Sequence, residues 1–133
     1  MRRVNGVDNK LYCQNLSLFV KLFIDHKVLY FDIKDYEFFV MSSHEDGMFY
    51  GYFSRLQNKN SINNLSCIVV LPTFQNRGFG TFLIELAQEL SRRENRICTP
   101  ETPLSEMGRI LYMSYWKRCV LSIFHTEMIN ARS

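Results

Sequence analysis

The stretch Gln75-Asn76-Arg77-Gly78-Phe79-Gly80 joins an apolar run that stops at Pro72 to a helical pattern that opens at Phe79. Glycine at the mouth of a helix leaves the first backbone N–H groups uncovered, and those groups have no intrahelical partner. With the positive end of the helix dipole behind them and Arg77 beside them, they suit a phosphate or pyrophosphate. A tight turn that needs glycine dihedrals explains the same residues equally well. No Gly-Lys-Ser/Thr follows, so this is not a Walker loop, and Leu83 occupies the third glycine position of a dinucleotide fingerprint. The other reactive side chains are scattered. Cys13, Cys67, Cys98 and Cys119 form no CxxC pair, and His26, His44 and His125 add no zinc-ligand spacing, so no metal is expected in this chain. Asp25-His26-Lys27 is not a dyad, because adjacent side chains seldom converge.

The elements that must carry this loop follow from hydrophobic spacing. Residues 65–71 are apolar on both faces, with Leu65, Cys67, Val69 and Leu71 on one and Ile68 and Val70 on the other, which predicts a central strand closed by Pro72. Phe79, Phe82, Leu83, Leu86, Ala87 and Leu90 form one helical stripe, ended by Arg92-Arg93 where basic residues suit the dipole. Residues 96–99 read as a short strand, completing a right-handed βαβ unit with parallel strands. Upstream, Leu16, Phe19, Val20, Phe23 and Ile24 share a helical face behind a possible cap at Asn15. Aromatic and β-branched runs at 27–33, 36–43 and 48–56 read as antiparallel strands, the last two joined by a hairpin at Asp46-Gly47. Residues 105–124 predict a last helix, apolar nearly all round, with a frayed tail at 130–133. The fold class expected is α/β (α+β): a mixed sheet with flanking helices.

Composition narrows the function classes. An apolar share of 47% in 133 residues fits one folded domain with a single core. The net charge of +3 is spread evenly, so there is no direct nucleic-acid signature. No apolar run reaches the roughly 20 residues of a membrane helix, and no signal-peptide pattern opens the chain. Widely spaced cysteines read as reduced thiols of a cytosolic or nuclear protein.

The blocks "KLYCQNLSLFVKLFIDHKVLYFD", "YGYFS", "NNLSCIVVLPTFQNRGFGTFLIELAQELSRRE" and "TPETPLSEMGRILYMSYW" resemble, in order, the MYST family of histone acetyltransferases over about residues 4–124. That is more specific than Q-x-x-G-x-G alone, which the wider GNAT acetyltransferases share. The resemblance implies a GNAT-like fold and acetyl-CoA as co-substrate. It places the diphosphate on Gln75, Asn76, Arg77, Gly78, Phe79, Gly80 and Thr81, and the pantetheine along Ile68, Val69 and Val70. Four strand steps from Leu71 to Cys67, roughly 13 Å, suit that arm.

The acceptor implied is a lysine ε-amine of a histone tail. Its pKa of ~10.4 makes deprotonation at neutral pH cost roughly 4–5 kcal/mol, which favours a positioned base. The family motif makes that base Glu101; read alone, Glu101 is a solvated loop carboxylate. The motif makes Cys67 the active-site cysteine, either as an acetyl-cysteine intermediate or as lining for direct transfer assisted by Glu101, the route favoured here. Read alone, Cys67 is a packed thiol whose burial disfavours the thiolate. Ser105 matches a serine beside the cofactor and reads equally as a helix-start hydroxyl. Lys27 matches an autoacetylated lysine and otherwise reads as an exposed helix-end lysine.

Three departures from the family pattern stand out. Asn76 replaces a usually basic loop residue, which implies weaker cofactor binding, and Ser17 and Cys98 replace a commoner cysteine and glycine. The family's zinc finger and part of its C-terminal region have no counterpart, so residues 1–133 read as a single MYST-type core truncated at both ends. The partners implied are histone tails and chromatin-complex subunits, in the nucleus. An inactive acetyl-CoA-binding scaffold module is the main alternative, and an acetyltransferase for small amines is a weaker one.

Overall fold

The computed structural model describes residues 1–22 and 32–132, which separate into two units, Met1–Glu101 and Thr102–Ser133. The predicted strand at 27–33, the helical residues Phe23 and Ile24, and Lys27 lie wholly or mostly outside the described residues.

The first unit is built on a four-stranded antiparallel sheet of β1 (Arg2–Asn5), β2 (Tyr36–Ser42), β3 (Phe49–Leu56) and β5 (Cys67–Val70), in the order β1-β2-β3-β5. A separate parallel pair joins β4 (Asn63–Leu65) to β6 (Thr99–Pro100). The hairpin predicted at Asp46-Gly47 joins β2 to β3, with Gly47 at φ +71°. Alternation sorts the sheet residues onto two faces. On one, Val4, Phe38, Val40, Tyr52, Cys67 and Val69 pack with Cys13, Leu16 and Val20 of helix α1 (Lys10–Val20). On the other, Phe39 and Phe53 stack at 4.6 Å and 5°, and helix α2 (Phe79–Arg93) buries Leu83, Ile84 and Ala87 while packing on β3, β4 and β5. A Cβ at Gly51 would fall 2.3 Å from the Val69 carbonyl oxygen, so glycine lets β3 and β5 approach.

The predicted strand at 65–71 is two strands. Its first part pairs with β6 and its second with β3, the change falling at Ser66, whose N–H donates to the Ser54 carbonyl at 2.7 Å. It is also not central: among the described residues β5 is an edge of its sheet, with Cys67 and Val69 buried and Ile68 and Val70 half-buried. An apolar run cannot show where it changes partner, because both ladders reward the same side chains. The parallel pairing expected of the βαβ unit is present, with α2 between β4 and β6 in the chain, but β6 falls at Thr99–Pro100 rather than 96–99.

Helix α1 starts at Lys10, with Asn9 before it and no side-chain cap, so Asn15 lies inside the helix. Strand β1 had no predicted counterpart. In the second unit, α3 (Glu106–Arg132) runs through the tail expected to fray. It exposes Ile110, Met113, Leu121 and Phe124, and Tyr112 packs on Trp116 at 5.2 Å.

Candidate functional site

The loop of interest is a turn with two left-handed residues. Pro72–Phe74 is one turn of 3-10 helix; Asn76 then takes φ +59° and Gly78, the residue before α2, takes φ +85°. Asparagine and glycine are the residue types that tolerate this region. A Cβ on Gly78 would meet nothing within 4 Å. Its dihedral therefore demands glycine, and the space before it is open. The dihedral accords with the tight-turn reading, and the open space leaves room for a ligand.

No side chain caps α2, so the donors of its first turn lack the usual acceptor. Below the loop, the Gln75 side-chain amide donates to the Val70 carbonyl at 3.0 Å and closes the loop onto the end of β5. Arg77 is exposed, and among the described residues no carboxylate pairs with it. Uncapped amides, empty space and an unpaired cation fit a diphosphate. Ile68 and Val70, half-buried, offer the apolar side of β5; Val69 points into the core, leaving only its backbone for a ligand. Phe79, Gly80 and Thr81, half-buried, form the first turn of α2.

The split strand ties the main chain of one catalytic candidate, Glu101, to a residue close in sequence to the other, Cys67. Glu101 follows β6, and its N–H donates to the Leu65 carbonyl at 2.8 Å, two residues from Cys67. Its carboxylate is exposed, and its charge, after burial, is a cause of the raised pKa of the Tyr36 phenol. Cys67 sits in the α1-side core at 5% exposure. The Tyr52 hydroxyl donates to the Leu16 carbonyl at 3.2 Å. Burial first, then the neighbouring Cys67 sulfur, pushes that phenol far above its ordinary range. Burial likewise raises the Cys13 thiol. In the second unit, the Ser105 hydroxyl accepts the Gly108 N–H at 3.1 Å, a helix-start contact.

Sequence reasoning gave no role to Tyr52 or Tyr36. Alternation puts Tyr52 on the face of Ser54, but only the long-range register of β3 with β5, which sets Ser54 opposite Cys67, makes it a neighbour of the cysteine.

Comparison with known proteins identifies the family. The model of the MOZ/SAS family matches residues 1–132. The chain belongs to that family. It is 43% identical over 132 residues to "Histone acetyltransferase of the MYST family 2" of Arabidopsis thaliana, covering 98% of this chain and 30% of the relative. It is 46% identical over 126 residues to "Histone acetyltransferase MOF" of Drosophila melanogaster, covering 93% and 15%. Against "Histone acetyltransferase KAT6B" of Homo sapiens it is 43% identical over 124 residues, covering 92% and 6%. The chain thus spans at most 30% of the length of these MYST relatives. Among the described residues, no three His, Cys, Asp or Glu side chains cluster as metal ligands, and no helix is long and apolar enough to cross a membrane.

Proposed function

We propose that this chain is the core of a protein-lysine N-acetyltransferase that moves an acetyl group from acetyl-CoA to a histone-tail lysine. The observation that carries the reading is the open N-terminal end of α2, with Arg77 unpaired, beside a strand that leads to Cys67 and Glu101. The relatives' names support histones as the substrate and, with them, a chromatin-associated activity in the nucleus as part of the same proposal.

Acetyl-CoA supplies an acetyl thioester when bound. The amides of residues 78–81 and the Arg77 guanidinium hold its diphosphate, and Ile68 and Val70 line its arm. Glu101 takes a proton from the lysine ε-ammonium, whose freed electron pair forms the new C–N bond as the C–S bond breaks. As the amide forms, the nitrogen sheds a second proton, which goes to the departing thiolate, and Glu101 releases the first to solvent. An exposed carboxylate on a fixed backbone suits this task. Cys67, packed beside Tyr52 in the core, favours direct transfer over an acetyl-cysteine.

The test is transfer of labelled acetyl by the full chain to histones and, separately, to polyamines. Transfer to histones, reduced about 10²- to 10⁴-fold by Glu101→Gln with CoA uptake intact, is the expected result. CoA uptake without transfer would instead make the chain a binding module, and transfer to polyamines alone a small-amine enzyme.

A further inference from the structure

The cation of the loop is exposed but lies over an aromatic ring. The Arg77 guanidinium carbon lies 5.6 Å from the centroid of the Phe74 ring, within cation–π range. Phe74 is itself held: its ring is 4.6 Å from that of Tyr50 at 58°, and 6.3 Å from that of Phe79 at 74°. Tyr50 stacks on Phe79 at 5.1 Å and 17°, closing the triangle. The three rings come from β3, from the 3-10 turn before the loop, and from the first residue of α2, so they grip the loop at both ends. Tyr50 adds a backbone tie, its carbonyl accepting the Leu71 N–H at 2.9 Å.

Arg77 remains exposed, so the stack does not serve to fill the core. Its guanidinium offers five N–H donors, and none is taken by a side chain or carbonyl among the described residues. An arginine free to rotate must be ordered when it meets a ligand, which lowers affinity; one already laid on a ring loses less.

We infer that Phe74 is a positioning residue that sets the Arg77 guanidinium at the diphosphate mouth of α2, with Tyr50 and Phe79 setting Phe74. The inference rests on the reading that this loop takes the diphosphate of CoA. It adds a specificity device to that reading, an aromatic brace that rewards ligands with a diphosphate over those with the pantetheine arm alone.

Calorimetry with CoA and with pantetheine, which lacks the diphosphate, tests it on the full chain. The unaltered chain should bind CoA far more tightly than pantetheine. Phe74→Leu should weaken CoA about fivefold and leave pantetheine unchanged, and Phe74→Tyr should restore CoA binding. Arg77→Gln should cost less in the Phe74→Leu background than in the unaltered chain. Because Arg77 is exposed, Arg77→Lys gives an independent arm if Phe74→Leu does not fold: it keeps the charge, loses the planar stack, and should weaken CoA by a similar factor. Additive losses, full affinity in Arg77→Lys, or an equal loss for both ligands in Phe74→Leu would overturn the brace and leave the diphosphate reading standing. No preference for CoA in the unaltered chain would remove both.

Discussion

At the start of α2 the first-turn donors have no side-chain cap and the nearby cation has no carboxylate; at its end nearly every charge is answered. Glu89 takes Arg92 at 2.8 Å and Arg93 at 2.7 Å. Glu94 takes both Arg55, at 2.8 Å, and Arg96, at 3.2 Å. Behind them Arg55 donates to Glu37 at 2.9 Å, and Glu37 also pairs with Arg3 across β1 and β2. This end borders a groove of about 630 Å³, and none of the catalytic or cofactor candidates lines it. The paired end uses its charges to tie strands to a helix, whereas the open end keeps donors uncapped and a cation without a carboxylate, as the proposed diphosphate site requires.

The contrast predicts that damage at the paired end costs folding and damage at the open end costs binding. The largest effect belongs to Glu37→Ala, which leaves Arg55, with a side chain only 10% exposed, without its inner partner. It should lower unfolding free energy by about 3–5 kcal/mol in denaturant melts, while the molecules still folded bind CoA as before. Next, Arg77→Gln should weaken CoA about tenfold and leave the melting midpoint where it was. An equal drop in midpoint would erase the distinction between the ends. Gly78→Ala mixes the two, since its φ of +85° strains any side chain: expect about 1 kcal/mol of stability lost together with a weaker CoA titration.

The smallest effect is a pH slope. Hydrogen bonds from Arg92 and then Arg93 lower the Glu89 carboxyl to about 2, and Arg55 foremost lowers that of Glu94. Carboxyls depressed on folding stabilise above their unfolded values, near 4.3, and lose that contribution as pH falls through the folded ones. Melting midpoints should therefore decline between about pH 4.5 and 2, and Glu94→Gln should flatten part of that decline. A slope unchanged by the substitution would show that the pair at Glu94 contributes nothing to stability.

What the sequence could say depended on how local the cause was. Helix α2 was legible to the residue, Phe79 to Arg93, because glycine, an apolar stripe and a basic pair mark it within its own length. The start of α1 was misplaced because its first turn, Lys10 to Cys13, exposes Leu11 and Tyr12 and has no cap to announce it. The division at Ser66 and the nearness of Tyr52 to Cys67 were hidden for one shared reason: strand partners lie far along the chain, and spacing within a strand does not name them. The loop's left-handed glycine was legible from residue type; the aromatic contacts around the loop were not, since Tyr50 lies far upstream of it.

Glu101 is held in place by its main chain alone: the amide is tethered to Leu65, and among the described residues the carboxylate has no hydrogen bond or ion pair. Address and reagent are therefore separate properties at this position. A glutamine installed there inherits the same seat, so exchanging the functional group asks a chemical question without also posing an architectural one.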